Sequence, residues 1–169
     1  KNNFDIYLSP DGWVPVGLKI KVVTVIHDIN FEHYPEFSPW SFRRYYKIFF
    51  KRWAKRADAI GTVSEYSKQD IANTYKVDSN KIHVMYNGAS PLYKPLSGDR
   101  SVVIKNRYTE GNDYFVFIGS LHPRKNVVNL FKAFDIYKTD NSSNIKLVII
   151  GEKFYWNKET SVVYQSLKY

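Results

Sequence analysis

Tyr114–Asn126 reads YFVFIGSLHPRKN. Five apolar residues, Tyr114–Ile118, have the length and composition of a buried strand, and Gly119 ends them. A short loop follows, stiffened by Pro123, and then two adjacent cations, Arg124 and Lys125, with Asn126 in position to cap a helix. Val127 to Lys138 continues as an amphipathic run. A helix N-terminus offers unpaired N–H groups and a partial positive charge, and the cations add full ones, so this stretch suits a phosphate or diphosphate.

Outward from it, the same alternation recurs. Lys146–Ile150 is a second apolar strand ending in a glycine, Gly151. The two strands and the helix between them form a βαβ unit, whose right-handed crossover makes the strands parallel. On the N-terminal side, strands are expected at Phe4–Leu8, Lys21–Ile26, Ala59–Val63 and Lys81–Tyr86. A long helix is expected over Trp40–Ala57, and another runs from the N-cap Ser64 to about Tyr75. Asn87-Gly88 is a turn signal. Pro95, Ser97-Gly98 and Gly111 mark a linker with one short helical turn, Val102–Arg107. Alternating strands and helices on both sides of the linker give an α/β protein with two parallel sheets flanked by helices. Ligands in such sheets sit at the carboxyl ends of strands, where His27-Asp28, Ser64-Glu65, Asn87-Gly88 and Gly119-Ser120 fall.

The 169 residues are 44% hydrophobic and 24% charged, the profile of a globular chain. Cysteine is absent, which excludes disulfides and thiolate-bound zinc and fits a reducing compartment. No apolar run approaches the roughly 18 residues of a membrane span. The chain starts at Lys1, close to its first strand, and stops at Tyr169 within an apolar pattern, so it is expected to be a piece of a longer protein. Net charge is +9, and seven cations, Arg43 to Arg56, crowd into the long helix with Asp58 just beyond it. A positive balance favours phosphates, nucleic acid or acidic lipid as partners.

On spacing alone, Gly119–Asn126 reads equally as a phosphate loop or as a solvated basic βα turn. The surrounding segments favour the first. GSLHPRKN, preceded by YFVFI and followed by a helix with Ala133-Phe134, resembles the donor-phosphate loop of glycosyltransferase family four. VVTVIHD (Val22–Asp28), ADAIGTVSEYSKQDI (Ala57–Ile71), KIHVMYNG (Lys81–Gly88) and KLVIIGE (Lys146–Glu152) resemble the same family in the same order. The resemblance implies a GT-B fold, parts of two Rossmann-like domains: 1–92 the end of the acceptor-side domain, 93–113 the linker, and 114–169 the start of the donor domain.

The resemblance further implies a retaining transfer of a sugar, mannose or another hexose, from a nucleoside diphosphate sugar to a glycan or lipid-linked acceptor. Lys125 and Arg124 would bind the donor diphosphate, Gly119 and Ser120 would line the loop through backbone N–H groups, and His27 would face the transferred sugar as the catalytic candidate. Some members carry an arginine where Ser120 stands, a charge for which Arg124 would substitute here. The downstream glutamate pair of the family falls outside the chain, so the 169 residues alone are expected to bind donor weakly without turnover. No cofactor or metal is expected. The chain has no Asp-x-Asp, and Asp28, Glu32 and His33 match no closed ligand spacing. The cleft candidates are completed by Asp28, Ser64, Asn87 and Gly88. Ser64 has no nucleophile elbow around it and reads as an N-cap; Asp28 beside the strand-end His27 reads more commonly as a helix-capping or turn residue.

The Trp40–Ala57 helix carries an apolar stripe, Phe42, Tyr46, Phe49, Trp53 and Ala57, and a basic one, Arg44, Lys47, Lys51 and Lys55. The basic stripe is either an ordinary solvated face or a dock for anionic lipid, consistent with a cytoplasmic enzyme peripheral to the inner membrane face. A nucleic-acid-binding or non-catalytic nucleotide-binding module is the competing reading. It would interleave cations with exposed aromatics across a sheet or groove, whereas here the charge sits on one helix, and nucleic acid is not the expected partner.

Overall fold

The computed structural model describes residues 4–152 and 155–169. The chain divides into two compact units, 1–90 and 91–169.

The first unit is a four-stranded parallel sheet in the order β1 (Ile6–Ser9), β2 (Lys21–Val25), β3 (Ala59–Thr62), β4 (Ile82–Val84). The crossover from β2 to β3 carries the short helix α1 (Asn30–His33) and the long helix α2 (Trp40–Arg56), and α3 (Glu65–Tyr75) joins β3 to β4. Val22, Ile60 and Ile82 from three adjacent strands are buried together with Phe50 and Trp53 of α2 and Ile71 of α3. The helix–sheet junction is pinned at Asp58, whose carboxylate accepts the Val22 N–H at 2.8 Å and an Arg56 N–H at 3.3 Å. The backbone N–H of Val22, seconded by the Arg56 guanidinium, holds the Asp58 carboxyl below its ordinary value.

Helix α2 buries most of the expected stripe, with Trp53 and the adjoining Ala57 in the core and Tyr46 and Phe49 packed against it, but adds Phe50 and Ala54 and leaves out Phe42. Phe50, Trp53 and Ala54 are buried, Tyr46 and Phe49 are half-buried, and Phe42 is 53% exposed. One helical turn ahead of Tyr46, the Phe42 ring lies against the Tyr46 ring at 5.7 Å. Lys81–Tyr86 shortens to the three residues of β4, and Asn87-Gly88 is irregular, exposed backbone rather than a turn.

The second unit holds α4 (Gly98–Thr109), β5 (Tyr114–Ile118), α5 (Val127–Asn141), β6 (Lys146–Ile150) and α6 (Lys158–Ser166). The expected helical turn Val102–Arg107 is thus a full 12-residue helix. It buries only Thr109, whose hydroxyl donates to the Lys105 carbonyl at 2.9 Å, so its sequence carries little core periodicity. β5 and β6 are parallel, Tyr114 opposite Lys146 through Ile118 opposite Ile150, as the βαβ reading requires. Leu121, Val127 and Phe131 are the buried centre of this unit, packed by Phe117, Leu147 and Ile149 from the strands. Phe131 also meets Tyr164 of α6 at 5.7 Å.

Candidate functional site

β5 delivers the chain to Gly119, whose φ of +147° suits glycine and few other residues. Its N–H donates to the Ile150 carbonyl at 2.9 Å. This corrects one expectation: the Gly119 amide closes the strand pair and is not available to a ligand, whereas the exposed Ser120 has no protein partner for its amide among the described residues. Glu152, just beyond β6, accepts the Leu121 N–H at 3.4 Å, so β6 continues to guide the loop after the sheet ends.

Pro123–Lys125 is a single 3-10 turn with proline at its start, a place where the missing N–H costs nothing. Arg124 and Lys125 are exposed, and neither cation has an ion-pair or hydrogen-bond partner for its side chain among the described residues. Asn126 follows in the left-handed conformation, φ +56°. It stands at the N-cap of α5 as expected, but its side chain makes no capping bond; its carbonyl instead accepts the Asn129 and Leu130 N–H groups, each at 3.2 Å. The side chain that caps the cationic turn is His122, with Nδ1 accepting the Arg124 N–H at 3.2 Å. Sequence reasoning missed it because histidine is not among the usual capping residues; the signal was its position immediately before proline.

In the first unit the remaining candidates share the carboxyl edge of the sheet. His27 and Asp28 follow β2 and are exposed. The His27 carbonyl accepts the Thr62 hydroxyl of β3 at 3.5 Å. A cavity of about 270 Å³ opens beside them, with Asp11, His27, Asn30, Ser38 and Tyr46 among its lining residues. Asp28 is a turn residue: its Oδ1 accepts the Asn30 N–H at 3.0 Å and the Asn30 side-chain amide at 2.5 Å. Ser64 caps α3, with Oγ accepting the Ser67 N–H at 3.1 Å, and Glu65 stands in the first turn beside the positive helix end. Asn87 and Gly88 lie exposed past β4. His27 and Asp28 are therefore brought beside one another and next to the end of β3, whereas Arg124 and Lys125 belong to the second unit.

Among the described residues, no three His, Asp or Glu side chains gather in a way that would hold a metal ion. His33, considered with Asp28 and Glu32, instead bonds Asp70 of α3 through Nε2 at 2.8 Å. No helix of the described residues is long and apolar enough to cross a membrane.

Residues 1–91 match the family model of Glycosyltransferase Family 4, and residues 102–169 match that of Glycosyl transferases group 1. The chain belongs to glycosyltransferase family 4. It is similar to the O-antigen chain mannosyltransferase B of Escherichia coli, 27% identical over 161 residues that make up 95% of this chain and 41% of that protein. It is also similar to the O-antigen chain mannosyltransferase RfbU of Salmonella typhimurium, 33% identical over 135 residues, 79% of this chain and 33% of that protein. The glycosyltransferase chain thus spans about two fifths or less of the length of these relatives. Its fold resembles that in a crystal structure of Anabaena Alr3699/HepE in complex with UDP and glucose, with a TM-score of 0.62 at 21% identity over 87% of this chain and 38% of that one. Two α/β units with parallel sheets flanked by helices, similar to this solved structure, are the GT-B-type architecture that the family resemblance implies.

Proposed function

We propose that the chain is part of a retaining hexosyltransferase that moves a sugar, mannose by its similarity to the two O-antigen enzymes, from a nucleoside diphosphate donor to a glycan or lipid-linked acceptor in polysaccharide synthesis. The observation that carries this reading is the pair of exposed cations, Arg124 and Lys125, whose side chains have no partner among the described residues, on a capped turn at the carboxyl end of β5. The UDP and glucose of the Anabaena complex are consistent with a nucleotide-sugar donor in this fold.

When the bond from the sugar anomeric carbon to the phosphate oxygen breaks, negative charge grows on the departing diphosphate. The Arg124 guanidinium and Lys125 ammonium would neutralise it, with no metal ion required, and cations already in place gain most as that charge develops. The Ser120 amide, without a protein partner among the described residues, would add a neutral donor in the same loop. The Gly119 amide plays no part. On the acceptor side, His27 would face the transferred sugar from the cavity at the end of β2. The residue assignments, and the division into acceptor-side domain 1–92, linker 93–113 and donor domain 114–169, rest on the family resemblance together with this geometry.

Titration calorimetry of the 169-residue chain with UDP, GDP and GDP-mannose tests the reading. Binding that weakens when Arg124 and Lys125 are both replaced by alanine supports it, and equal binding by the double variant overturns it. The chain on its own is proposed to bind donor without turnover; release of free sugar or nucleoside diphosphate would reject that part.

A second surface favours a partner at the inner membrane face. Helix α2 has seven cations and no acid. Trp40, Phe42 and Ile48 are exposed among them, and the Arg44 guanidinium lies over the Trp40 ring at 5.6 Å. Exposed aromatics beside Lys and Arg are the composition of an interfacial helix, and Arg44, Lys47, Lys51 and Lys55 would meet anionic lipid headgroups.

A further inference from the structure

We propose that His122 is the positioning residue of the cationic turn, fixing through its ring nitrogen and its carbonyl the backbone of the two residues that would hold the diphosphate. This rests on the donor-site reading above. The His122 Nδ1 accepts the Arg124 N–H at 3.2 Å, and the His122 carbonyl accepts the Lys125 N–H at 2.8 Å. One residue therefore takes both amides, one with its side chain and one with its main chain.

The intervening residue explains why a side chain is needed. Pro123 has no N–H, so Arg124 supplies the first amide of the turn, and a 3-10 turn this short has no earlier carbonyl to receive it. An acceptor placed one bond beyond Cγ of residue 122 reaches that amide; in histidine it is Nδ1, which leaves the ring proton on Nε2. The ring is held in turn by Tyr155, edge-on with centroids 4.3 Å apart. His122 itself is half-buried, while Arg124 and Lys125 are exposed. The half-buried residue thus anchors the backbone from which the exposed cations extend.

Loss of the cap leaves the turn free to sample other conformations, and two long cationic side chains then lose a fixed origin. Binding a diphosphate must order them again, which lowers affinity without removing either charge. The ring packing and the hydrogen bond are separable. His122→Phe keeps an aromatic ring against Tyr155 and removes the acceptor. His122→Asn removes the ring and keeps an acceptor, Oδ1, at the same bond count from the backbone.

Calorimetry with inorganic pyrophosphate and with GDP on the 169-residue chain, together with amide hydrogen exchange at Arg124 and Lys125, decides the matter. The Phe variant is expected to bind about fivefold more weakly, the equivalent of a lost cap, and the Asn variant to stay within about twofold of the parent. Exchange at both amides should rise in the Phe variant and remain near the parent level in the Asn variant. Parent-like binding and exchange in the Phe variant, or an Asn variant as impaired as the Phe variant, overturns the proposal. If Arg124→Ala and Lys125→Ala leave binding untouched, the donor-site reading falls instead, and unaltered exchange in the Phe variant would still reject the positioning role of His122 on its own.

Discussion

Gly151 packs directly against the carbonyl of Gly119: a β-carbon at Gly151 would stand 2.8 Å from the Gly119 carbonyl carbon and nearer still to its oxygen. The two residues follow the paired ends of β5 and β6, where Gly119 N–H meets the Ile150 carbonyl. Even an alanine must force the strand ends apart. Gly151→Ala is expected to destabilise the chain by about 1–3 kcal/mol, the range for overpacking a close contact, read from a lower urea midpoint. A midpoint unchanged from the parent would show that the loop gives way freely.

Arg124→Ala and Lys125→Ala should each weaken nucleoside diphosphate binding about tenfold or more, since a hydrogen bond to a charged group is worth about 1.5–3 kcal/mol. Both side chains are exposed and have no partner among the described residues, so thermal unfolding should barely shift. Calorimetry beside a melting curve separates the two effects, and a large fall in melting temperature would mean that the cations are structural.

Asp58 gives a pH dependence with a definite sign. Its carboxyl is held below its ordinary value in the folded chain by Val22 N–H and Arg56, so the native state binds the proton less readily than the unfolded chain does. The stability it contributes is present above the unfolded-state pKa of about 3.9 and is lost as pH falls through the lower native value. Asp58→Asn should therefore cost stability at neutral pH and flatten the acid limb of a stability–pH curve. An acid limb as steep in the variant as in the parent would place the effect on other carboxyls.

Thr24 is fully buried on β2, and its hydroxyl has no hydrogen-bond partner among the described residues. Valine has nearly the same shape and no hydroxyl. Thr24→Val is expected to stabilise the chain by about 1 kcal/mol, the lower end of the cost of an unmatched buried polar group. Denaturant unfolding measures it, and a destabilised variant would show that the hydroxyl has a role in the sheet.

For α2, sedimentation with vesicles rich in anionic lipid should retain the chain, while vesicles of neutral phosphatidylcholine should not. Replacing Lys47, Lys51 and Lys55 by glutamate should abolish the difference, each lysine near the surface contributing about 1 kcal/mol. Equal retention on both vesicle types removes the lipid reading. Strong salt-sensitive binding to random oligonucleotides, measured alongside, would support a nucleic-acid partner instead.

The elements with strong local signatures were legible in the sequence. An apolar run closed by glycine gave β5 and β6, and serine ahead of a polar-apolar alternation gave the α3 cap. What escaped depended on tertiary partners. α4 buries so little that its residues show no stripe, and the Ser97-Gly98 cluster read as linker. The buried face of α2 is set by where the sheet lies, which brings Phe50 and Ala54 inward and leaves Phe42 out. At the site, the loop and its cations were visible, but the bond from Gly119 to Ile150 is a matter of strand register between segments about thirty residues apart, and spacing carries no record of it. The role of His122 hinges on one nitrogen of a residue type that has many others.

The commitment of the Gly119, Arg124, Lys125 and Asn126 amides to protein acceptors has a consequence for how this surface can diverge. These four backbone amides are held by partners that the proposed recognition does not consume, and recognition would be left to the Arg124 and Lys125 side chains and the Ser120 amide, which folding does not require. Exchanging arginine for lysine, or shifting a cation by one position, can then retune ligand preference while the βαβ scaffold stays intact. If the loop binds a diphosphate as proposed, the same division would make that affinity sensitive to ionic strength, because interactions of exposed charges are screened over about 8–10 Å, whereas the scaffold, held by buried apolar contacts and amide bonds, would tolerate salt.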